Sequence, residues 1–252
     1  MGLSLVLHQD TVWPGRRGLA LPEEGCRSKI VAYADLVQAH AVCDYVGGLA
    51  DRPVIIDVGA HHGAYALLLG GLMKSRGGGQ LIAVEPDPHN VSILRNNIQL
   101  NALADVVLVQ ECAVSDKACR AQLFSEGSQS RLLSGNGAEL SSCLDIRVST
   151  LRDIIQELTI QKVDLLLVDV EGAELPVLRG FPWDMMRPSM LLCEMHPYNW
   201  QEYGYTGADM SALIRELHYR CFDMYLREHS DFHDEAYIGP CLFVPDKTPR
   251  FP

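Results

Sequence analysis

Carboxylates crowd the end of one apolar run. The segment "LLLVDVEGAELPVLRG", residues 165–180, begins as a buried strand and then sets down Asp169, Glu171 and Glu174 around a single glycine. A core has no use for three acids, because an unpaired buried charge is expensive. Acids at a strand end make sense where that end opens onto a ligand. A second run, "MLLCEMHP", residues 190–197, closes on Glu194 and His196. Two positions apart, these point to one side if the strand continues. Imidazole titrates near neutrality, so His196 is the leading general base, with Asp169, Glu171 and Glu194 as its acidic company. A second arrangement, ranked below a metal-free site, holds Mg2+ on Asp169, Glu194 and His196. For Glu174 a place in the first turn of the following helix, favoured by the helix dipole, is the better reading.

Another group of residues suits a nucleotide. "IIDVGAHHGAY" places a glycine turn directly between a strand and a helix. Ligands of open α/β sheets bind outside such strand ends. Gly59 and Gly63 permit close backbone approach, and Asp57 sits just before them. Glu85, 22 residues beyond Gly63, ends the next apolar run. A carboxylate there accepts hydrogen bonds from ribose hydroxyls and repels a 2′-phosphate. The glycine spacing is G-x-x-x-G rather than G-x-G-x-x-G, which disfavours an NAD-dependent oxidoreductase. The adjacent His61-His62 lacks helical i, i+4 spacing and nearby cysteines, so no zinc site is expected.

These residues need a scaffold that alternates strand and helix. Strands read at 54–59, 80–86, 105–115, 163–170 and 189–195, with helical patterns between them. The pattern predicts a mostly parallel sheet with helices on both faces. A helix at about 206–219 and a closing hairpin, "CFDMYL" with "IGPCLFVP", complete it. The organisation expected is an N-terminal arm and helix over 1–50, the helix at 29–49, and one domain over 51–252. The Gly/Ser-rich stretch 117–148 reads as a long inserted loop, a lid flanked by short strands near 121–124 and 145–148. Tyr198, Trp200, Tyr203 and Tyr205 read as the wall of an acceptor pocket.

Composition narrows the partners. The chain has 252 residues, 48% hydrophobic, and a net charge of −11. No basic stripe is present to neutralise phosphates, so a nucleic acid is not expected. No apolar run is long enough to span a membrane. Eight cysteines without C-x-x-C spacing suggest reduced thiols in the cytoplasm. The oligomeric state stays open, a homodimer included.

Taken in order, "VIIDVGAHHG", "IAVEPDPHNVSILRNNIQLN", "CAVSD", "VSTLRDII", "VDLLLVDVEGAELPVLRGF" and "CEMHP" resemble the FkbM family of S-adenosylmethionine-dependent methyltransferases over about 54–198. The resemblance implies an α/β, Rossmann-like methyltransferase fold with a seven-stranded sheet whose last strand is antiparallel. It also implies an O-methyltransferase acting on a hydroxyl of a sugar or secondary metabolite. By the same resemblance Asp57, Gly59, Ala60 and Gly63 face the methionine part of the cofactor. Glu85 holds the ribose, Pro86 and Ala113 flank the adenine, and Asp169 lies near the sulfonium and amino group. The sequence departs from the family at His61, Ala66 and Leu167, where Asn, Thr or Ser, and Lys are usual. A non-catalytic cofactor-binding module is the alternative on the same fold.

Overall fold

A computed structural model of the chain describes residues 4–5, 30–31, 37–49, 52–126, 129–132, 143–223, 226–229, 231–232 and 239–246. The chain divides into two compact units, residues 1–111 and 112–252.

In the first unit, β1 (Ser4–Leu5) pairs antiparallel with β2 (Ile30–Val31), and α1 spans Val37–Gly48. The helix expected over 29–49 therefore starts later, and the β-branched Ile30–Val31 joins a strand pair instead. Three parallel strands follow in the order β3 (Val54–Val58), β4 (Gln80–Glu85) and β5 (Val107–Glu111). Ile56 lies opposite Ile82, and Ile82 opposite Leu108. β4 is buried nearly throughout, as a strand covered on both faces must be, and its residues are almost all apolar. Helix α2 (Ala64–Ser75) buries Leu67, Leu69 and Met73. Helix α3 (Pro88–Leu100) starts where its sequence says it should. Pro88 occupies the first turn, and the Asp87 side chain accepts a hydrogen bond from the His89 N–H at 2.8 Å.

The second unit holds two sheets. Its larger one runs β10 (Leu165–Val168), β11 (Met190–Met195), β14 (Gly239–Pro245), β12 (Tyr219–Phe222) and β13 (Glu228–His229) in spatial order. β10 and β11 are parallel, and β14 runs antiparallel to both of its neighbours. That is the antiparallel last strand and the closing hairpin of the sequence reading; the two-residue β13 extends the edge beyond it. Helix α7 (Gly207–Glu216) opens with a reciprocal cap between Thr206 and Asp209. Helices α4 (Leu151–Glu157), α5 (Glu174–Arg179) and α6 (Pro197–Trp200) are short.

The smaller sheet contains the two short strands expected near 121–124 and 145–148 and corrects part of the loop between them, where Gln129–Leu132 is also a strand. β6 (Ala113–Val114), β7 (Cys119–Glu126), β8 (Gln129–Leu132) and β9 (Cys143–Ser149) form four strands in the order β6-β9-β7-β8. Segment 117–148 is thus largely sheet. Ile146 and Val148 alternate with polar neighbours at strand period, and with Ala113 and Leu123 they form an apolar cluster. The Gly/Ser-rich centre of the segment, at 127–128 and 133–142, lies outside the described residues. The third strand expected over 105–115 is likewise two: β5 ends at Glu111, and β6 pairs with β9.

One buried charge organises the turn after β10. Glu174, the first residue of α5, is 0% exposed. Oε1 accepts from the Gly172 N–H at 2.9 Å and from His196 Nδ1 at 2.7 Å. Oε2 accepts from Trp200 Nε1 at 2.8 Å and from the Tyr205 hydroxyl at 3.0 Å, a proton shared with the Gly172 carbonyl. An ionised carboxylate has about four acceptor sites, and each faces a donor here. Removing the carboxylate strands those donors in the core. We expect Glu174→Ala to lower the unfolding free energy by about 3–5 kcal/mol in a urea titration. A loss below about 1 kcal/mol would show that these donors find other partners.

Candidate functional site

Each unit carries one cluster of polar side chains. In the first, the turn between β3 and α2 is held by the neighbouring strand. The N–H groups of Gly59 and Ala60 both donate to the Val84 carbonyl, at 2.9 and 3.0 Å. Gly63 has φ +94, and a Cβ there would stand 2.6 Å from Leu94 Cδ1, so glycine is required both by conformation and by α3. His61 also takes a positive φ, of 47. That conformation turns its N–H onto Glu85 Oε2 at 2.9 Å.

Glu85 is buried at the end of β4. Its Oε1 accepts from the Asp87 N–H and from Asn90 Nδ2, both at 3.1 Å. Three donors therefore occupy the carboxylate already, leaving about one acceptor site, at Oε2. The sequence suggested a free carboxylate for both ribose hydroxyls; the fold leaves room for one such bond. Pro86 is half-buried beside it. His62 is buried, donates from Nε2 to Asn90 Oδ1 at 3.0 Å, and stacks on His61 with ring centroids 3.8 Å apart. Burial, then the neighbouring His61, brings its pKa down to about 4, so it is a neutral ring.

Asp57 is the exception among these side chains. It is 3% exposed, and its Oδ2 is the single buried side-chain polar atom without a hydrogen-bond partner among the described residues. Burial, then repulsion from Glu85, raises its pKa to about 7.

The second cluster gathers at the ends of β10 and β11. Asp169 follows β10 directly. Glu171 and Gly172 turn the chain with φ of 51 and 112. A Cβ on Gly172 would lie 2.5 Å from Asn199 Cβ, so the turn packs directly on α6. Asn199 Nδ2 completes that contact by donating to the Glu171 carbonyl at 2.9 Å. β11 ends at Met195, so His196 caps α6 rather than continuing the strand. It still meets Glu194. With Nδ1 held by Glu174, His196 Nε2 points at Asp169 Oδ1 (3.8 Å), Glu171 Oε2 (3.8 Å) and Glu194 Oε1 (3.9 Å).

The structure thus brings together all four residues that the sequence marked for catalysis. It changes the electrostatics of His196. Burial alone would lower its pKa, but the Glu174 hydrogen bond and the surrounding carboxylates raise it to about 9, above the neutral range expected from its type. Desolvation and then repulsion from Glu194 move the Asp169 carboxyl upward, although half of its side chain remains open to solvent.

Sequence reasoning assigned Glu174 to a helix dipole and Trp200 and Tyr205 to a pocket wall. All three are core: Trp200 and Tyr205 are 3% and 4% exposed, with their polar tips on Glu174. A signal was available, since a buried Trp or Tyr needs a partner for its N–H or O–H. Tyr198 does face solvent, donating its hydroxyl to Glu171 Oε2 at 3.2 Å. Ala113 is packed in the apolar cluster of the small sheet.

The raised Asp57 pKa makes a test of the first cluster. The folded protein holds this proton more tightly than the unfolded chain, where Asp titrates near 3.9. Stability contributed by the neutral form is therefore lost as pH rises from about 4 through about 7, by up to about 4 kcal/mol. Asp57→Asn should melt higher than wild type at pH 8 and at the same temperature at pH 4. An equal shift at both would attribute the effect to shape rather than charge.

A methyltransferase sdnD from Sordaria araneosa is 26% identical over 196 residues, covering 64% of this chain and 74% of the relative. A methyltransferase FkbM structure from Methylobacillus flagellatus KT aligns with TM-score 0.48 and 20% identity. That alignment covers 79% of this chain and 47% of the other, so the chain spans about half that relative's length. An O-methyltransferase from Bacillus cereus in complex with SAH aligns with TM-score 0.45 and 12% identity, over 83% and 79% of the two chains. The methyltransferase FkbM domain itself matches residues 57–221, more than half of the sequence, and on that match the chain belongs to the FkbM methyltransferase family.

Proposed function

We propose that this methyltransferase moves a methyl group from S-adenosylmethionine to a hydroxyl of a small molecule, a sugar or a secondary metabolite. The observation that carries the hydroxyl reading is the His196 cluster. A hydroxyl acceptor must lose a proton as it is methylated, and here an imidazole and three carboxylate oxygens converge within 3.9 Å of one nitrogen.

The donor, when bound, supplies a methyl already activated on a sulfonium. The C–S bond breaks as the C–O bond forms, and the hydroxyl proton goes to the protein. What remains for the chain is alignment and proton removal. His196, Asp169 and Glu194 stand close enough for their protonation to be linked, so the proton is accepted by the group rather than by an isolated imidazole. Glu174 contributes by position, fixing the ring so that Nε2 faces the acids.

For the cofactor, Glu85 accepts one ribose hydroxyl at its remaining Oε2 site, beside Pro86. The unpartnered Asp57 Oδ2, with Gly59, Ala60 and Gly63, serves the methionine end, where an ammonium would satisfy the buried oxygen. The amides of Gly59 and Ala60 contribute backbone shape, since both are already donated to Val84. The seven described free cysteines support a reducing compartment, the cytoplasm. Among the described residues no helix is long and apolar enough to cross a membrane.

Two substitutions separate binding from chemistry. Glu85→Gln keeps the shape but removes the charge and should weaken S-adenosylhomocysteine by about 1.5–3 kcal/mol in calorimetry. Unchanged affinity would take Glu85 out of the ribose site. His196→Ala should slow turnover roughly 10²–10⁴-fold while leaving that affinity nearly unchanged. Full activity would place proton removal elsewhere.

A further inference from the structure

The cluster in the second unit has more negative charge than its single histidine can offset. Asp169, Glu171, Glu174 and Glu194 all form their ion pairs with His196. Among the described residues no lysine or arginine pairs with any of them. Other acids on this chain are answered by cations. Asp145 has Arg120, Asp184 has Arg152 and Glu228 has Arg220.

Acidity alone would not define a site. The second observation is His196. It is 4% exposed, its Nδ1 is taken by Glu174, and its Nε2 is turned into the cluster. The three nearest acidic oxygens stand at 3.8, 3.8 and 3.9 Å, too far to accept a hydrogen bond. They are well placed to share a cation. Ligands about 2.1 Å from a metal stand roughly 3–4 Å from one another. One oxygen each of Asp169 and Glu171 and one nitrogen of His196 all lie within 4.8 Å of one another. The other ring nitrogen donates to a buried carboxylate, Glu174, at 2.7 Å. That arrangement orients an imidazole and raises its basicity where it ligates a metal.

We propose that Asp169, Glu171 and His196 bind a divalent cation of mixed oxygen and nitrogen preference, with Glu194 as the adjacent compensating charge. The set differs from the one read in the sequence, since Glu171 takes the place of Glu194. Its open positions would hold water and an acceptor oxygen, whose proton, made easier to lose by the cation, would pass to the unligated Glu194 in place of His196. The cation's role in turnover rests on the hydroxyl-acceptor reading above, but its binding does not.

Mn2+ serves as the probe. The full-length protein, freed of metal with EDTA, is titrated with Mn2+ and followed by electron paramagnetic resonance of the free ion. Binding of S-adenosylhomocysteine is measured on the same sample. We expect one equivalent of Mn2+ to bind. Glu171→Gln, which keeps the side-chain shape, should weaken it by about tenfold or more, and His196→Ala likewise. The exposed control Glu216→Gln should leave it unchanged. Thermal melts verify that each variant is folded, and Glu171→Gln stands alone if His196→Ala is not. A wild-type protein that binds S-adenosylhomocysteine but no stoichiometric Mn2+ overturns the proposal, as does equal Mn2+ affinity in folded Glu171→Gln. Mn2+ binding that Glu171→Gln weakens, in a protein that ignores S-adenosylhomocysteine, would uphold the cation site and sink the assignment of the methyl donor.

Discussion

A carboxylate with no solvent exposure stands behind the whole second cluster. Glu174 is tolerable in the interior because four donors reach it from four places in the chain: Gly172, His196, Trp200 and Tyr205. The dependence runs both ways. The turn after β10 and the segment after β11 are held against each other by one charge that would otherwise be costly to bury. Because Oε1 accepts a hydrogen bond from Nδ1–H, the His196 ring has a fixed orientation. Its other nitrogen is then committed to the side where Asp169, Glu171 and Glu194 lie.

The turn itself is strained toward that end. Glu171 takes a positive φ, which a residue with a Cβ adopts at a cost, and Gly172 follows with another. Asn199 secures the strained carbonyl, and the absence of a side chain at Gly172 lets α6 approach. Strain, a buried charge and crowded acids at one strand end are each unfavourable for stability alone. Together they gather polar atoms of Asp169, Glu171, Glu194 and His196 at one strand end.

The first cluster follows a different rule. Glu85 is nearly saturated by its own chain, through His61, Asp87 and Asn90, which leaves it oriented and with little spare capacity. Asp57 is the opposite case, buried beside it with an oxygen that no described residue satisfies. A carboxylate that is preorganised and one that is left wanting are complementary provisions for a ligand carrying both hydroxyls and a cationic group.

The α/β class, the long strands of the larger sheets and the four acid and histidine positions of the second cluster were legible in the sequence. Local pattern determines those things: apolar runs of strand length, glycine at turns needing positive φ, a proline and an aspartate opening α3. Strand period at Leu123, Ile146 and Val148 marked the short strands there, while the surrounding Ser and Gly made β8 between them read as loop. What tertiary structure decided was the state of each group. Type alone makes Glu174 a helix-dipole acid, His196 a neutral base and Glu85 a free acceptor. Burial and partners distant in sequence made Glu174 an anchor, His196 a ring holding its proton to about 9, and Glu85 a carboxylate with one site to spare. Residue identity fixes which atoms can donate or accept. Only the folded chain determines which of them are already paired and how far each charge stands from water.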